Sequence, residues 1–398
     1  MLNPSIAEAI ALMQDFAKRT GLTAGCPPRR YLWTDAFAVC NFLGLAQATG
    51  EQRYAELALQ LVDQVHHTLG RHRDDEPRSG WLSGLNAPEG ERHPTRGGLR
   101  IGKALPERGP DQPVDERLEW DRDGQYFHYL TKWMHALDQV AHATGQPRFN
   151  LWARELAKTA FDAFTYLLSP AGPRRMVWKM SIDLTRELVA SMGQHDPLDG
   201  YLTCLELQST ATALPAPLAG PKLGDEISQF AAMLDNGGWA TSDPLGIGGL
   251  LTDAYRAHDL IRQGAMSDER LLETLLAAAL SGLRHYAAGG ELRRPAEYRL
   301  AFRELGLAIG LHAVQYLWQT TGSVATRPST SPKARALLQT LLEYAPMRDE
   351  IESFWRDPAH RLAGPWSEHR DINEVMLATS LAPEGFLIKR PLSYPLLS

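Results

Sequence analysis

An all-α chain is predicted here, with its helices joined as hairpins in two layers, and three observations lead there. Apolar residues recur at three- and four-residue spacing almost throughout, the period of helices that bury one face. Alternating runs closed by hairpin turns, the mark of strands, are hard to find. A helix-closing junction also repeats. Ala48-Thr49-Gly50 precedes Glu51-Gln52-Arg53-Tyr54, and Ala143-Thr144-Gly145 precedes Gln146-Pro147-Arg148-Phe149. Gln263-Gly264 precedes Ser267-Asp268-Glu269, and Thr320-Thr321-Gly322 precedes Ser331-Pro332. A glycine just past a helix takes the left-handed conformation that closes it, and Ser, Asp or Pro then opens the partner helix.

Taken in order, the spacing predicts about twelve helices. They cover residues 4–20, 35–48, 51–69, 123–143, 148–167, 184–191 with 198–212, 224–235, 244–263, 267–287, 297–320, 332–345 and 371–380. The first carries Glu8 and Asp15 inside its apolar pattern, so it reads as an amphipathic helix and not a signal peptide. Within a hairpin the first helix is apolar nearly all round, as in 35–46, and the second is amphipathic, as in 51–69. An all-round apolar helix is buried on every side, whereas an amphipathic one faces water. Gly246, Gly248, Gly249, Gly306 and Gly310 fall in first helices, where close backbone packing offsets the roughly 1 kcal/mol that glycine costs. Helix 371–380 is of the first type with no partner after it, and helix 4–20 is of the second type with no partner before it. Pairing those two completes six hairpins. The arrangement resembles the (α/α)6 six-hairpin toroid along the whole chain, which implies one domain over 1–398. An open α-solenoid, serving as a protein-binding scaffold, is the alternative.

Composition narrows the function classes. The 41 Lys and Arg against 47 Asp and Glu give a net charge of −6, without the basic footprint of general nucleic-acid binding. No run of 18 or more uncharged apolar residues offers a membrane span. Cys26, Cys40 and Cys204 form no CxxC pair, which suits a reducing, cytoplasmic compartment without structural zinc. No HExxH, EF-hand or cysteine cluster is present, so neither a metal nor a cofactor is expected. His128, His135 and His142 share a helix at seven-residue spacing, about 10.5 Å between neighbours, too far apart to share a metal. Gly97-Gly98-Leu99-Arg100-Ile101-Gly102-Lys103 departs from a phosphate loop, since Ala104 follows Lys103 and no strand precedes it. Arg100 and Lys103 are expected to bind a substrate hydroxyl, a substrate carboxylate or a protein acid.

Loop length points to one end of the molecule. The stretches before first helices are long, 70–122, 168–183, 236–243, 288–296 and 346–370, and parallel inner helices would gather them at one mouth. Elaborate loops on a rigid scaffold usually carry function. Carboxylates and histidines interleave there with aromatic rings, in EWDRDGQYFHY (119–129), GQHDPLDG (193–200), DNGGWATSD (235–243) and GPWSEHRDINE (364–374). That composition suits a small saccharide, with rings as stacking platforms and carboxyls as acid and base. The catalytic candidates are Asp35, Glu119, Asp121, His195 and Asp196. The substrate-binding candidates are Trp33, Arg100, Trp120, Tyr126, His128, Trp239, Trp366, His369 and Arg370. Asp35, Asp123, Asp243 and Asp371 each also fall at a predicted helix start, where capping is the competing role. Asp196-Pro197 can open a turn, with Asp199 as the cap of the next helix.

Two groups of six-hairpin toroid enzymes are similar at these positions. The glycosidase-like group implies hydrolysis by a carboxyl pair drawn from Asp35, Glu119, Asp121 and Asp196. The N-acylglucosamine 2-epimerase group implies an Arg and Trp near the first inner helix, matched by Arg30 and Trp33. That group also has paired histidines, one in a loop resembled by Gly364-Pro365-Trp366-Ser367-Glu368-His369-Arg370, with His128 or His195 as the second. Glycoside hydrolysis is the leading expectation, sugar epimerisation the alternative, and a non-catalytic glycan- or protein-binding scaffold the third.

Overall fold

A computed structural model describes residues 3–169, 172–191, 193–216, 218–234, 238–321, 331–392 and 396. Gly322 and the 235–237 start of one expected loop lie outside the described residues. Helix dominates, and the chain divides into two compact units. The N-terminal unit is Ala17–Asn236 with Lys389–Ser398, and the C-terminal unit is Met1–Phe16 with Gly237–Ile388.

Helix α1 (Pro4–Arg19) opens the chain. The N-terminal unit holds α2 (Leu32–Thr49), α3 (Gln52–Leu69), α4 (Ala87–Arg92), α5 (Glu116–Glu119), α6 (Phe127–Thr144), α7 (Pro147–Phe164), α8 (Asp196–Ala213) and α9 (Gly224–Ala232). The two-layer expectation holds in detail here. Every residue of α2 from Leu32 through Ala46 is buried. In α3 only a stripe is covered, including Tyr54, Ala58, Leu61, Val62, Val65 and Leu69. Gly50 (φ 73°) and Gly145 (φ 67°) close α2 and α6 in the left-handed conformation. Helix α2 packs on α3 and α6, and α6 packs on α7 and α8.

The C-terminal unit holds α10 (Pro244–Arg262), α11 (Glu269–Gly289), α12 (Ala301–Thr321), α13 (Pro332–Leu342), α14 (Ala345–Arg356), α15 (Gly364–Glu368), α16 (Arg370–Leu381) and α17 (Glu384–Leu387). The α10–α12 contact is a glycine-to-glycine approach. A Cβ on Gly248 would stand 2.1 Å from the Gly306 carbonyl oxygen, and one on Gly310 2.6 Å from the Gly248 Cα. Gly249 has nothing within 4 Å, so it takes no part in that approach. The expected tie between the chain's ends is visible within this unit. Glu8 of α1 accepts from Arg356 (2.8 Å) and Arg361 (2.7 Å), and Asp15 accepts from Arg370 of α16 (2.7 Å).

Three expectations are corrected. Residues 184–191 form no helix. Strand β5 (Glu187–Val189) pairs with β4 (Lys179–Met180), which pairs with β1 (Gln125–Tyr126), while β2 (Thr165–Leu167) pairs with β3 (Arg174–Met176). The turn into β5 puts Leu184 at φ 60°, and Ser181 and Asp183 accept backbone N–H groups of Thr185 and Arg186. Those side-chain bonds compete with helix. The helix expected from 123 starts at Phe127, because 125–126 pair as strand. The expected 346–370 loop contains α14, with Ile351 and Trp355 buried. Pro346 sits in its first turn, where no N–H is needed. Among the described residues, no helix is long and apolar enough to cross a membrane.

Candidate functional site

The N-terminal unit assembles its aromatic rings where β1 runs into α6. Pairing of Tyr126 with Lys179 sets Trp178 beside the first turn of α6. Trp178 lies 5.0 Å from Trp120 and 5.9 Å from Tyr126, and Tyr126 lies 5.4 Å from His128 (ring centroids). Tyr129 packs edge-on against His128 at 4.8 Å, and its hydroxyl meets that of Tyr31 at 2.6 Å. Lys103 and Lys179 cap the faces of Tyr31 and Tyr126. Trp120 is 52% exposed, so a large aromatic face stays open to a ligand.

His128 is half-buried at the edge of this cluster. The Trp178 indole N–H donates to its Nδ1 at 3.2 Å. An accepting Nδ1 leaves the neutral ring's proton on Nε2. Burial, assisted by the Lys132 charge and opposed by Asp199, lowers its pKa to about 4, so the imidazole is neutral near pH 7. One turn on, Thr131 Oγ1 and Lys132 Nζ donate to Asp199 of α8 at 2.5 and 2.9 Å.

Asp196 is the first residue of α8 and is buried. Burial, then the neighbouring Asp199 charge, raises its pKa to about 7, against a backbone hydrogen bond from Gly193 and the pull of Lys132. Its Oδ2 has no hydrogen-bond partner among the described residues. The preceding loop closes over this carboxyl only because residue 193 is glycine. A Cβ there would stand 2.4 Å from Oδ2. Asp196 and His128 thus both feel the Lys132–Asp199 pair. One is a carboxyl poised near neutrality, and the other is an imidazole held uncharged with a donor nitrogen.

Asp35, Glu119 and Asp123 are committed to the protein. Asp35 accepts from Arg30 at 3.3 Å and from the Tyr31 N–H at 2.8 Å, inside the first turn of α2 and not as its cap. Glu119 is buried between Lys179 (3.1 Å) and Arg108 (3.0 Å). Asp123 caps no helix. Its Oδ1 takes the N–H groups of Gly102, Lys103 and Gly124, and its Oδ2 takes Arg100 (2.6 Å) and Arg73 (3.2 Å). The glycine-rich 97–103 segment therefore cradles an anion that belongs to the chain itself. Arg100 also donates to the Thr68 and Arg71 carbonyls. Asp121 is exposed, and His195 precedes α8 without a side-chain capping bond. Asp199 bonds α6 instead of capping α8. Trp33 is buried against Phe37 at 4.4 Å. His142 bonds the Arg390 carbonyl and Thr210, so His128 and His142 serve different neighbourhoods.

Trp239, Trp366, His369 and Arg370 belong to the C-terminal unit. Trp239 is buried, and Trp366 is buried and stacked on Trp355 at 5.5 Å. His369 is exposed, 5.7 Å from the Phe302 ring, and Arg370 is shared by Asp15 and Glu374. Asp243 does cap its helix, accepting from the Gly246 N–H at 3.0 Å, while Asp371 lies inside α16 and His369 holds the cap position. Among the described residues, no three His, Cys, Asp or Glu side chains group as a metal site.

Sequence reasoning missed Tyr31, Tyr129, Lys132 and Trp178 as site residues. Helical period could have found one of them: Lys132 lies one turn after His128. Trp178 depends on strand pairing that two residues of β1 do not announce.

No protein-family model and no curated protein sequence matches the chain. A solved structure does, described as a sugar epimerase from a ruminal bacterium, at a TM-score of 0.51 and 10% identity. The match covers 94% of this chain and 98% of that one. At that identity the likeness concerns the fold, and it agrees with the all-α class of paired helices read from the sequence.

Proposed function

We propose that the chain is a carbohydrate-active enzyme of the epimerase or isomerase type, acting on a small aldose through its open-chain form. The observation that carries the reading is the unlike pair at α6 and α8. Asp196 has a pKa of about 7 and an oxygen without a partner, and His128 is neutral with its proton on Nε2. A carboxyl near pKa 7 exchanges protons efficiently at neutral pH. In this reading Asp196 carboxylate takes the proton from the carbon next to the substrate carbonyl. The electron pair moves toward the carbonyl oxygen, where the His128 Nε2–H donates. Return of the proton to the other face of that carbon, as the electron pair swings back from the carbonyl oxygen, gives the epimer; protonation of the former carbonyl carbon, with the O2 hydroxyl proton passing to the old carbonyl oxygen, gives the ketose isomer. The exposed face of Trp120 would hold the apolar face of the sugar. The likeness to a sugar epimerase fold supports this choice. The proposal treats residues 1–398 as one domain, and a single cooperative unfolding transition would support that.

Glycoside hydrolysis is the second reading. It is favoured by one feature, two carboxyls in unlike environments, Asp196 near pKa 7 and Asp199 paired with Lys132. Asp199, however, already accepts from both Thr131 and Lys132, which leaves it a poor nucleophile or base.

Incubation with a panel of aldoses in D2O, followed by NMR, separates the readings. Deuterium at C2 with a new epimer or ketose, lost in both Asp196→Asn and His128→Gln, is the expected result. Release of the aglycone from aryl glycosides without such exchange would make the chain a hydrolase.

A further inference from the structure

Most cations around the α6 aromatic cluster are engaged by the protein. Arg100 and Arg73 hold Asp123. Arg108 and Lys179 hold the Glu119 carboxylate, and Lys179 also donates to the Glu119 and Arg122 carbonyls at 2.6 and 2.9 Å. Lys103 differs. Its side chain is half-buried, its Nζ lies 5.4 Å from the centroid of the Tyr31 ring, and among the described residues it makes no ion pair.

A lysine without a counter-charge is ordinary where water surrounds it. Two observations set this one apart. The first is a like charge nearby. Burial, opposed by Glu119 and Asp123, lowers the Lys179 pKa, and the Lys103 charge lowers it further. The second is a spare donor. Tyr31 and Tyr129 share one hydrogen bond, Oη to Oη at 2.6 Å. One hydroxyl proton makes that bond, and the other has no acceptor among the described residues. Both tyrosines are half-buried, and the Tyr129 ring touches that of His128 at 4.8 Å. Contact by contact, the site runs from His128 through Tyr129 and Tyr31 to Lys103.

Charge and donors decide the class of ligand. A phosphate ester carries about two negative charges at neutral pH, and is ordinarily held by a guanidinium fork or a nest of backbone N–H groups. Here the Gly102 and Lys103 N–H groups and both nearby arginines already hold Asp123. What remains is one ammonium group and one phenolic donor, which match the single charge and two oxygens of a carboxylate. We infer that the substrate is an acidic sugar, an aldose whose terminal carbon is a carboxylate. That carboxylate sits on Lys103 Nζ and the free hydroxyl proton of the Tyr31–Tyr129 pair, with C1 and C2 toward His128. The inference rests on the epimerase reading for the reaction, and on binding alone for the carboxylate subsite.

D-glucuronate and D-galacturonate are compared with D-glucose, D-galactose and D-glucose 6-phosphate by C2 exchange in D2O, on the full chain. At least one uronate should exchange with kcat/KM about tenfold or more above that of its neutral counterpart, the worth of a hydrogen bond to a charged group. Lys103→Met keeps an aliphatic stem on the Tyr31 ring. It should raise the uronate KM by about tenfold or more and change kcat by less than about threefold, the pattern of lost uniform binding. Lys103→Arg, which keeps the charge, should raise KM far less. Tyr31→Phe, which keeps the ring, should raise it by about three- to tenfold, the worth of one hydrogen bond. The inference is overturned if neutral aldoses exchange as readily as the uronates, if Lys103→Met leaves the uronate preference intact, or if the 6-phosphate is preferred to both. Each of those results leaves epimerisation standing. If no sugar exchanges, saturation-transfer NMR with the uronates decides. Binding that Lys103→Met abolishes keeps the carboxylate subsite and removes only the epimerase reading, and absence of such binding removes both.

Discussion

Asp123 and Asp196 are buried carboxyls of the same unit, and each lies close to the start of an apolar helix, yet their surroundings are opposite. Five donors converge on Asp123, three backbone N–H groups and two guanidinium groups. Asp196 has one oxygen with no partner and a like charge, Asp199, for a neighbour. Four of those donors tie Asp123 into the 70–122 connection. Shortage pushes Asp196 toward its neutral form and leaves it able to exchange a proton. Burial and position near a helix start are alike for the two acids, and the number of donors around them is what differs.

The largest effect that sharpens this contrast is on turnover. Asp196→Asn replaces a buried acid of pKa about 7 by a near-isosteric amide, so the helical circular dichroism spectrum should persist. Loss of a general acid or base typically removes about 10²–10⁴-fold, and kcat/KM for aldose epimerisation should fall by that range. Retention of full activity would end the role given to Asp196.

Asp123→Asn should act on the other side of the comparison. It leaves Arg100 and Arg73 facing an uncharged amide in the interior, and breaking a buried ion pair from one side costs about 3–5 kcal/mol. Urea unfolding followed by far-UV circular dichroism should register that loss. A variant as stable as the wild type would mean that the five-donor cradle contributes little and that donor count is a poor guide.

These two aspartates also show how far the sequence could be read. The paired helices, the left-handed closures at Gly50 and Gly145, the α10–α12 glycine contact and the bonds from α1 to the end of the chain were all legible, because local period and glycine chemistry determine them. Asp196, Tyr126, Trp120 and His128 were legible as site candidates. What stayed hidden was the sorting of the acids. Asp35 and Glu119 ranked beside Asp196, and nothing local reveals that Arg30 or Lys179 consumes their charge. The partners of Glu119 lie 11 and 60 residues away along the chain. The strands β4 and β5 were hidden for a related reason, since their stability comes from cross-strand pairing and not from local alternation.

A smaller effect concerns pH. The Asp196 carboxyl is raised to about 7 from an ordinary value near 3.8. The folded protein therefore binds a proton there that the unfolded chain has already released. The stability this contributes is complete below about pH 4 and is lost as pH rises to about 7. His128, lowered to about 4, has the opposite sign and costs stability as pH falls from about 6.5. The difference between wild type and Asp196→Asn isolates the carboxyl. The variant should gain relative stability as pH rises from about 4 to about 7 and stay level above. Activity of the wild type should move the other way, increasing through about pH 7 as the carboxylate forms. A flat difference in thermal unfolding temperature across this window would show that Asp196 is ionised throughout.

The smallest expected effect comes from Asp121, the acid that stands beside the exposed Trp120. Its side chain is exposed, so water screens its charge and no buried partner depends on it. Surface substitutions away from special features usually change stability by less than about 0.5 kcal/mol. Asp121→Asn should therefore leave unfolding unchanged to within that amount and turnover to within about twofold. Trp120→Ala is its companion, because it removes the stacking face while leaving the carboxyl. KM should increase there with kcat nearly intact, the pattern of lost uniform binding. If Asp121→Asn instead lowers kcat by tenfold or more at unchanged stability, an exposed acid is doing the chemistry. The donor count at Asp196 would then mark only a strained interior, and the hydrolase reading, with Asp121 as one of its carboxyls, would replace epimerisation.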